Sequence, residues 1–413
     1  MLTSPTVRRT IRQAHSQRNS GAGPVQNSKQ IVFTSIYLAE SRQRMKFVIF
    51  GLSVSSSWGN GHATLWRGLL AAMGNRGYRA VFFERDVPYY ASQRDLSELT
   101  TGPLILYPDW KDVRHLAEEE LRQADVAIVT SYCPDAVAAA NLVADSPVKA
   151  KLFYDMDTGV TLDVVQAGRP VSYVGPNGFS QFDLVLSYTG GTALEELREC
   201  LGARRVAPLY GWVDPSIHRP TAARDEFRGD LSYFGTYSDD RQNTLARLLI
   251  QPARSLPQMR FVIGGAQYPH SFPWCENIFF VRHLPPSDHS AFYCSSRLTL
   301  NVTRPSMARR GYCPSGRIFE AAACGTAVLT DWWQGLDEFF EPESEILVCH
   351  DTPNALDALQ ADPQLIDRIA RRARERVLDQ HTAAHRLAEL ESILDDFSGW
   401  PVSGSDGSLA MTA

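Results

Sequence analysis

The feature that most constrains this chain is a rhythm. From Lys46 onward, short apolar runs rich in β-formers alternate with longer stretches whose apolar residues recur at helical spacing. The runs are Phe47–Phe50, Ala80–Phe83, Val126–Val129, Lys151–Tyr154 and Leu184–Leu186, and between them Leu65, Leu69, Ala72 and Met73, then Leu194, Leu197 and Leu201, mark helix faces. Continuous apolar strands separated by helices imply a parallel sheet covered on both sides. The rhythm breaks at Pro208-Leu209-Tyr210-Gly211-Trp212-Val213-Asp214-Pro215 and restarts with Leu231–Phe234, Phe261–Ile263, Ile278–Val281, Leu298–Val302, Ala327–Leu329 and Ile346–Val348. Two successive α/β units joined by a linker follow, which suits 413 residues better than one core does.

Composition narrows the function. A net charge of −5 argues against nucleic acid as the main partner, because phosphate binding wants a basic surface. The seven cysteines are scattered and odd in number, and none falls in a C-x-x-C pair, so neither a zinc site nor a disulfide framework is indicated and a reducing cytoplasm is expected. No apolar run approaches the roughly 20 residues a membrane span needs. Residues 1–44 carry seven cationic side chains against the single acid Glu40; they read as a disordered extension, with a transit peptide or an upstream start as alternatives. Residues 401–413 read as a disordered tail. Pro363 to Phe397 is one long helical pattern, and its Arg371, Arg372, Arg374 and Arg376 form either a solvated basic face or a peripheral contact with acidic lipid or acceptor.

The strongest local signal is Ser315-Gly316-Arg317-Ile318-Phe319-Glu320-Ala321-Ala322-Ala323-Cys324-Gly325-Thr326. Ser315 makes a helix start, the alanines favour helix, and Gly325 can close it in the left-handed conformation. Unpaired N–H groups and partial positive charge at such a start suit a diphosphate. Arg317 adds a planar donor fork, and Glu320, three residues on, adds an acceptor for both ribose hydroxyls. The plain alternative is an Arg–Glu pair on an ordinary helix surface.

That stretch resembles the donor-binding helix of GT-B glycosyltransferases, with its F-E-A-x-A-x-G-x-P-V pattern. The resemblance runs in chain order: Tyr210 to Pro215 with His218-Arg219-Pro220 looks like the entry to the second domain. Tyr233-Phe234-Gly235-Thr236 looks like its first strand and donor loop, and Phe261 to Gly265 the next strand and turn. Ile278 to Val281, Leu284-Pro285-Pro286, Phe292-Tyr293, Gly335 and Glu345 to Val348 follow in order. More narrowly, Met45 to about Leu394 is similar to the CgeB-type glycosyltransferases, first named among spore-coat proteins. What the resemblance implies is a GT-B fold of two Rossmann-like domains facing across a cleft, with a C-terminal helix free to cross back. Its domains are residues 45–212 on the acceptor side, residues 213–380 on the donor side and a C-terminal helix over 381–400. It further implies a hexosyl-type transferase using a nucleotide sugar as substrate, without cofactor or metal, and a glycan, protein or lipid-linked acceptor. Two departures stand out. Tyr312 occupies the place of a Glu found in retaining members, and the usual Lys after the first strand of the second domain is missing, which leaves Arg241, Arg304 and Arg317 as the diphosphate contacts.

In the first half, Ser55-Ser56-Ser57-Trp58-Gly59-Asn60-Gly61-His62-Ala63-Thr64 opens a helix after the first strand. Gly59 and Gly61 let backbone N–H groups approach an anion or the transferring sugar. His62 is either a general base toward the acceptor hydroxyl or a residue that orients the loop. The same loop, with Glu84 and Asp86 after the second strand, nearly copies a dinucleotide-binding fingerprint; Thr64 and the late first glycine count against it. Asp155-Met156-Asp157 looks like a metal-binding D-x-D; alternate strand residues share a face, so the pair is expected to line the cleft and meet acceptor hydroxyls. Tyr89-Tyr90 and Trp332-Trp333 suit either sugar stacking or packing, and Asp331 falls at a strand end where ligands gather. A nucleotide-sugar epimerase or hydrolase, and a non-catalytic coat protein retaining the fold, remain the competing functions.

Overall fold

The structure, a computed structural model, describes residues 44–398; the expectations for the N-terminal extension and the tail lie outside these residues. Two sheets carry the chain. The first contains β1 (Lys46–Gly51), β2 (Arg79–Arg85), β3 (Leu104–Tyr107), β4 (Val126–Thr130), β5 (Ala150–Asp155), β6 (Leu184–Ser187) and β7 (Val206–Pro208), in the order β3-β2-β1-β4-β5-β6-β7. The second contains β8 (Gly229–Phe234), β9 (Phe261–Gly265), β10 (Ile278–Arg282), β11 (Ser296–Asn301), β12 (Ala327–Thr330) and β13 (Leu347–Val348), in the order β10-β9-β8-β11-β12-β13. Every named pairing is parallel. β3 and β7 have no counterpart among the runs read from the sequence. Each is short, and β7 includes Pro208, which an edge strand tolerates.

Parallel strands are buried on both faces, which explains why the sequence reads as solid apolar runs: β1 from Phe47 to Phe50 and β2 from Ala80 to Phe83 are fully inaccessible. The helices that shape the cleft are α1 (Gly61–Asn75), α2 (Thr158–Gln166), α3 (Thr192–Leu201), α4 (Pro286–Cys294), α5 (Gly316–Ala323), α6 (Pro363–Gln380) and α7 (Ala383–Ser398).

The long C-terminal pattern is not one helix. It breaks at His381 and Thr382, where no Pro or Gly stands. Instead, Val213 donates to the carbonyl of His381 (3.0 Å) and Ala383 donates to that of Val213 (2.8 Å). The outgoing crossing at Val213 and the returning one at Thr382 thus pair as a single parallel bridge. A backbone partner outside the helix replaces the internal bonds that continuing it would need. Beyond the bridge, Leu387, Leu390 and Leu394 of α7 pack with Leu69 and Met73 of α1 in the first-lobe core, so the last helix returns to the lobe where the chain began. Trp212 enters the same core, its indole N–H on the carbonyl of Leu65 (2.9 Å). Of the four arginines in the basic stretch, Arg376 pairs with Glu345 (3.0 Å), Arg374 donates to the carbonyl of Ala323 (3.1 Å) and Arg372 to Ser344 (2.7 Å). These three serve internal contacts, and the stretch is not an uncommitted basic face.

No helix among the described residues is long and apolar enough to cross a membrane. All seven cysteines carry free thiols.

Candidate active site in the cleft

The strand orders fix where a ligand can sit. In an open parallel sheet the connections diverge at the switch point, leaving a crevice at the carboxyl ends of two neighbouring strands. Here these are β1 and β4 in the first lobe, β8 and β11 in the second. The loops leaving β1 (Leu52 to Asn60), β4 (Tyr132), β8 (Gly235 to Ser238) and β11 (Arg304) all border one cavity of about 520 Å³. Two switch points face a common space.

Most of the sequence-derived candidates meet there. Gly59, Gly61 and His62 border the cavity from the first lobe, and Gly235, Thr236, Arg241, Arg304, Arg317 and Glu320 border it from the second. Ser315 and Gly316 border an adjoining recess of about 180 Å³, which shares His62, Asp157, Arg241, Arg304 and Arg317 with the main cavity.

The second-lobe wall is cationic. α5 begins at Ser315, whose hydroxyl accepts from the backbone N–H of Arg317 (3.4 Å), and Gly325 closes the turn beyond it at φ +78°. The Arg317 guanidinium is held by the Asn301 side-chain oxygen at the end of β11 (3.1 Å) and lies over the Tyr233 ring at 5.4 Å. Its Nε–H is buried without a partner, as is that of Arg241; buried donors without acceptors mark where an anion would be welcome. Arg304 donates to Ser238 (3.1 Å) and pairs with Asp240 (3.1 Å). Asp331, pushed up to about 6 chiefly by burial, accepts from the backbone (3.0 Å) and hydroxyl (2.9 Å) of Thr303. It therefore supports the turn that carries Arg304 and does not face a ligand.

The backbone must approach closely here. Gly265 (φ +151°) lies against the donor loop, and a Cβ on it would stand 2.1 Å from the carbonyl oxygen of Gly235; only glycine fits. At the far end of α5's first turns, Glu320 is 8% exposed. It accepts from the Tyr293 hydroxyl (3.1 Å) and lies 3.9 Å from Nε2 of His218. His218 and His289, neither of which the sequence marked as a site residue, sit beneath it, and burial pushes each down to about 4. They are 71 positions apart, and only the fold brings them together.

The first-lobe wall corrects one expectation, that of two aligned acids. The Asp155-Met156-Asp157 pair does not share a face. β5 ends at Asp155, and the chain turns at once into α2, so the alternation that would align the two carboxylates never extends to Asp157. Asp155 is fully buried, accepting the backbone N–H of Asp157 (3.0 Å), with its other oxygen unpartnered; it is not an acceptor contact. Asp157 alone reaches the cleft, 2.8 Å from Nε2 of His62. The remaining nitrogen of His62 is buried without a partner, and the residue borders the cavity with its Nε2 held by Asp157. Finally, Glu84, the acid of the apparent dinucleotide fingerprint, is buried and occupied. It accepts from the N–H groups of Val54 (2.7 Å) and Ser55 (2.9 Å) and from the hydroxyl of Ser53 (2.9 Å), clamping the glycine loop. Asp86, the other acid of that fingerprint, is ion-paired with Arg94 (2.8 Å).

Burial gives Asp155 a measurable signature. Its carboxyl is pushed up to about 7, chiefly by desolvation. Because the folded value lies above the unfolded one, its contribution to stability is complete below about pH 4 and is lost as pH rises through about 7. Asp155→Asn cannot ionise. The difference in melting temperature, variant minus wild type, is therefore expected to grow from pH 5 to pH 8 in a thermal-melt series; a difference independent of pH would contradict the burial argument.

Across the mouth, Trp58 of the first lobe packs on His283 of the second with ring centroids 3.9 Å apart, and Gln267 donates to the Tyr89 hydroxyl (3.4 Å). Tyr90 borders the cavity, whereas Trp333 is core and Trp332 borders neither the cavity nor its recess.

Comparison with known proteins agrees with this architecture. Residues 241–392 match the family described as "Glycosyl transferase-like". No curated protein matches the chain. Among solved structures, the chain is similar to sucrose-phosphate synthase from Thermosynechococcus elongatus (15% identity, 86% of this chain and 100% of that one, TM-score 0.61). It is also similar to Anabaena HepE in complex with UDP-glucose (12%, 85% and 100%, 0.60) and to an alpha-glucosyltransferase in complex with UDP-glucose and DNA containing an abasic site (12%, 85% and 98%, 0.64). At these identities the likeness speaks to the fold, and the fold is GT-B: two Rossmann-like domains with parallel sheets facing across a cleft.

Proposed function

We propose that this chain is a glycosyltransferase of the CgeB-like, hexosyl-transferring kind. It moves a sugar from a nucleoside-diphosphate sugar to a hydroxyl of a glycan, protein or lipid-linked acceptor, in the cytoplasm and without a metal or cofactor. The observation that carries the reading is the convergence of Arg241, Arg304 and Arg317 on one cavity that the buried Glu320 also borders, with the start of α5 in the recess adjoining it. Cation, helix terminus and carboxylate in that order match diphosphate followed by ribose. HepE and the alpha-glucosyltransferase each hold UDP-glucose, which supports a UDP-hexose as donor.

The chemistry follows from charge. When the bond from the anomeric carbon to phosphate oxygen breaks, the sugar gains oxocarbenium character and the departing diphosphate gains negative charge. Guanidinium groups already aimed at that position stabilise the charge without reorganising. The acceptor oxygen forms the new bond, and its proton goes to the free oxygen of Asp157, which His62 holds in place. Closing two lobes over the reacting atoms excludes water and favours transfer over hydrolysis.

The test separates the two carboxylates. Glu320→Ala is expected to weaken donor binding about ten- to a hundredfold, as loss of charge-assisted hydrogen bonds to a diol would. Asp157→Asn is expected to leave that affinity unchanged and lower turnover instead. Calorimetry with a panel of nucleotide sugars followed by single-turnover kinetics measures both. Wild-type donor affinity in Glu320→Ala would remove the reading of the second lobe.

A further inference from the structure

Beneath the proposed ribose contact lie two histidines that sugar transfer does not use. The Nε2 of His218, the Nδ1 of His289 and a carboxylate oxygen of Glu320 come together, with each residue's donor atom within 4.8 Å of the others. The two nitrogens are 3.4 Å apart, and Nε2 of His218 is 3.9 Å from Glu320 Oε1. A tetrahedral zinc ion with bonds of about 2.0–2.1 Å separates its ligands by roughly 3.3 Å. The nitrogen pair already has that spacing, and from Nε2 of His218 the carboxylate lies about half an ångström beyond it, with all three donor atoms within 4.8 Å.

We propose that His218, His289 and Glu320 form a binding site for a divalent transition cation of the zinc type, and that the cation and the donor's ribose compete for Glu320.

Two features beyond proximity support this. Each of two ligands is oriented through the atom not offered to the cation: His289 donates its Nε2–H to the carbonyl of Leu284 (3.3 Å), and the second oxygen of Glu320 accepts from Tyr293 (3.1 Å). Supporting bonds of this kind fix the tautomer and ring orientation at metal sites. Finally, His289 and Glu320 border the main cavity, which gives a cation a route in and leaves a fourth position toward the cleft. Two imidazoles with one carboxylate suit zinc, cobalt or nickel far better than magnesium or calcium, which take oxygen ligands.

The cation-binding part stands on these observations; the competition rests on Glu320 holding the ribose. Titrating the metal-free full chain with zinc chloride by calorimetry is expected to show one equivalent bound. Cobalt chloride is expected to give the visible bands of a four- or five-coordinate nitrogen–oxygen site without a thiolate charge-transfer band. His218→Ala and His289→Ala should each lower zinc affinity at least about a hundredfold while keeping a cooperative melt. If either variant fails to melt cooperatively, Glu320→Gln serves instead and should lower affinity about tenfold. Absence of zinc binding, binding that survives loss of the ligands, or a thiolate band would overturn the site. In steady-state assays zinc should raise the donor KM and leave kcat unchanged. Zinc binding without any effect on donor KM would overturn the competition. A chain that binds zinc but no nucleotide sugar would keep the metal site and refute the donor reading, whereas one that binds donor but no zinc would do the reverse.

Discussion

Replacing Arg317 with alanine is expected to lower turnover by about a hundred- to a thousandfold while leaving the melting temperature within a few degrees of wild type. The size follows from what the guanidinium is asked to do. Removing one preorganised donor aimed at developing negative charge in a water-poor site costs on the order of 3–4 kcal/mol of transition-state stabilisation. Arg317 is set for that task before any ligand arrives. Asn301 fixes one of its nitrogens at 3.1 Å, the Tyr233 ring lies beneath it, and its Nε–H is buried without an acceptor. The small effect on stability follows from the same facts, since an unsatisfied donor contributes little to holding the fold. Arg317→Lys keeps the charge but loses the planar fork, so it should recover only part of the activity. The measurement is kcat under saturating donor with melting followed in parallel. A variant with wild-type kcat would remove Arg317 from the chemistry, and one that fails to fold would contradict the small effect on stability.

Arg317 also illustrates what could be read from the sequence. Its helix was visible because every local signal agreed: a capping serine, a run of alanines and a closing glycine. The strands were visible because parallel sheets bury both faces, so that Phe47 to Phe50 and Phe261 to Ile263 are solidly apolar. What stayed hidden depended on where one element stops or on residues far apart in the chain. The reading of Asp155 and Asp157 as one face assumed a strand that continues, whereas β5 ends at the first of them. The break at His381 has no local cause, because its cause is Val213, on the outgoing crossing. Glu84 carried a fingerprint and yet spends its oxygens on the backbone of Val54 and Ser55. His218 and His289 had no shared motif at all.

Arg310 belongs to that hidden class, and its loss is expected to be the largest single-residue effect on stability away from the hydrophobic core. It lies in the second lobe between β11 and α5, yet its side chain, 5% exposed, reaches into the first. There it meets Asp163 of α2 (2.8 Å), Glu196 of α3 (2.8 Å), the carbonyl of Gly159 (3.1 Å) and the side chain of Gln166 (3.2 Å). The backbones close in beside it: Gly190 donates to the carbonyl of Tyr312 (2.9 Å), and a Cβ on Gly191 would stand 2.2 Å from the Arg310 carbonyl oxygen. One guanidinium thus satisfies groups on two helices of the opposite lobe. Truncating one member of a buried ionic network costs about 3–5 kcal/mol, because the partners stay behind without their counter-charge. Asp163 and Glu196 are partly exposed, and Asp163 keeps Arg309 at 2.7 Å, so water and that second arginine soften the loss. Arg310→Ala is therefore expected at the low end, about 3 kcal/mol, or roughly 5–10 °C in melting temperature. Arg310→Lys should recover less than half, since an ammonium cannot reach both carboxylates and the two neutral oxygens at once. The double change Arg310→Ala with Glu196→Gln tests the mechanism: removing a stranded carboxylate should return part of the lost stability. A double variant that is less stable still would mean that Arg310 acts through packing and not through charge.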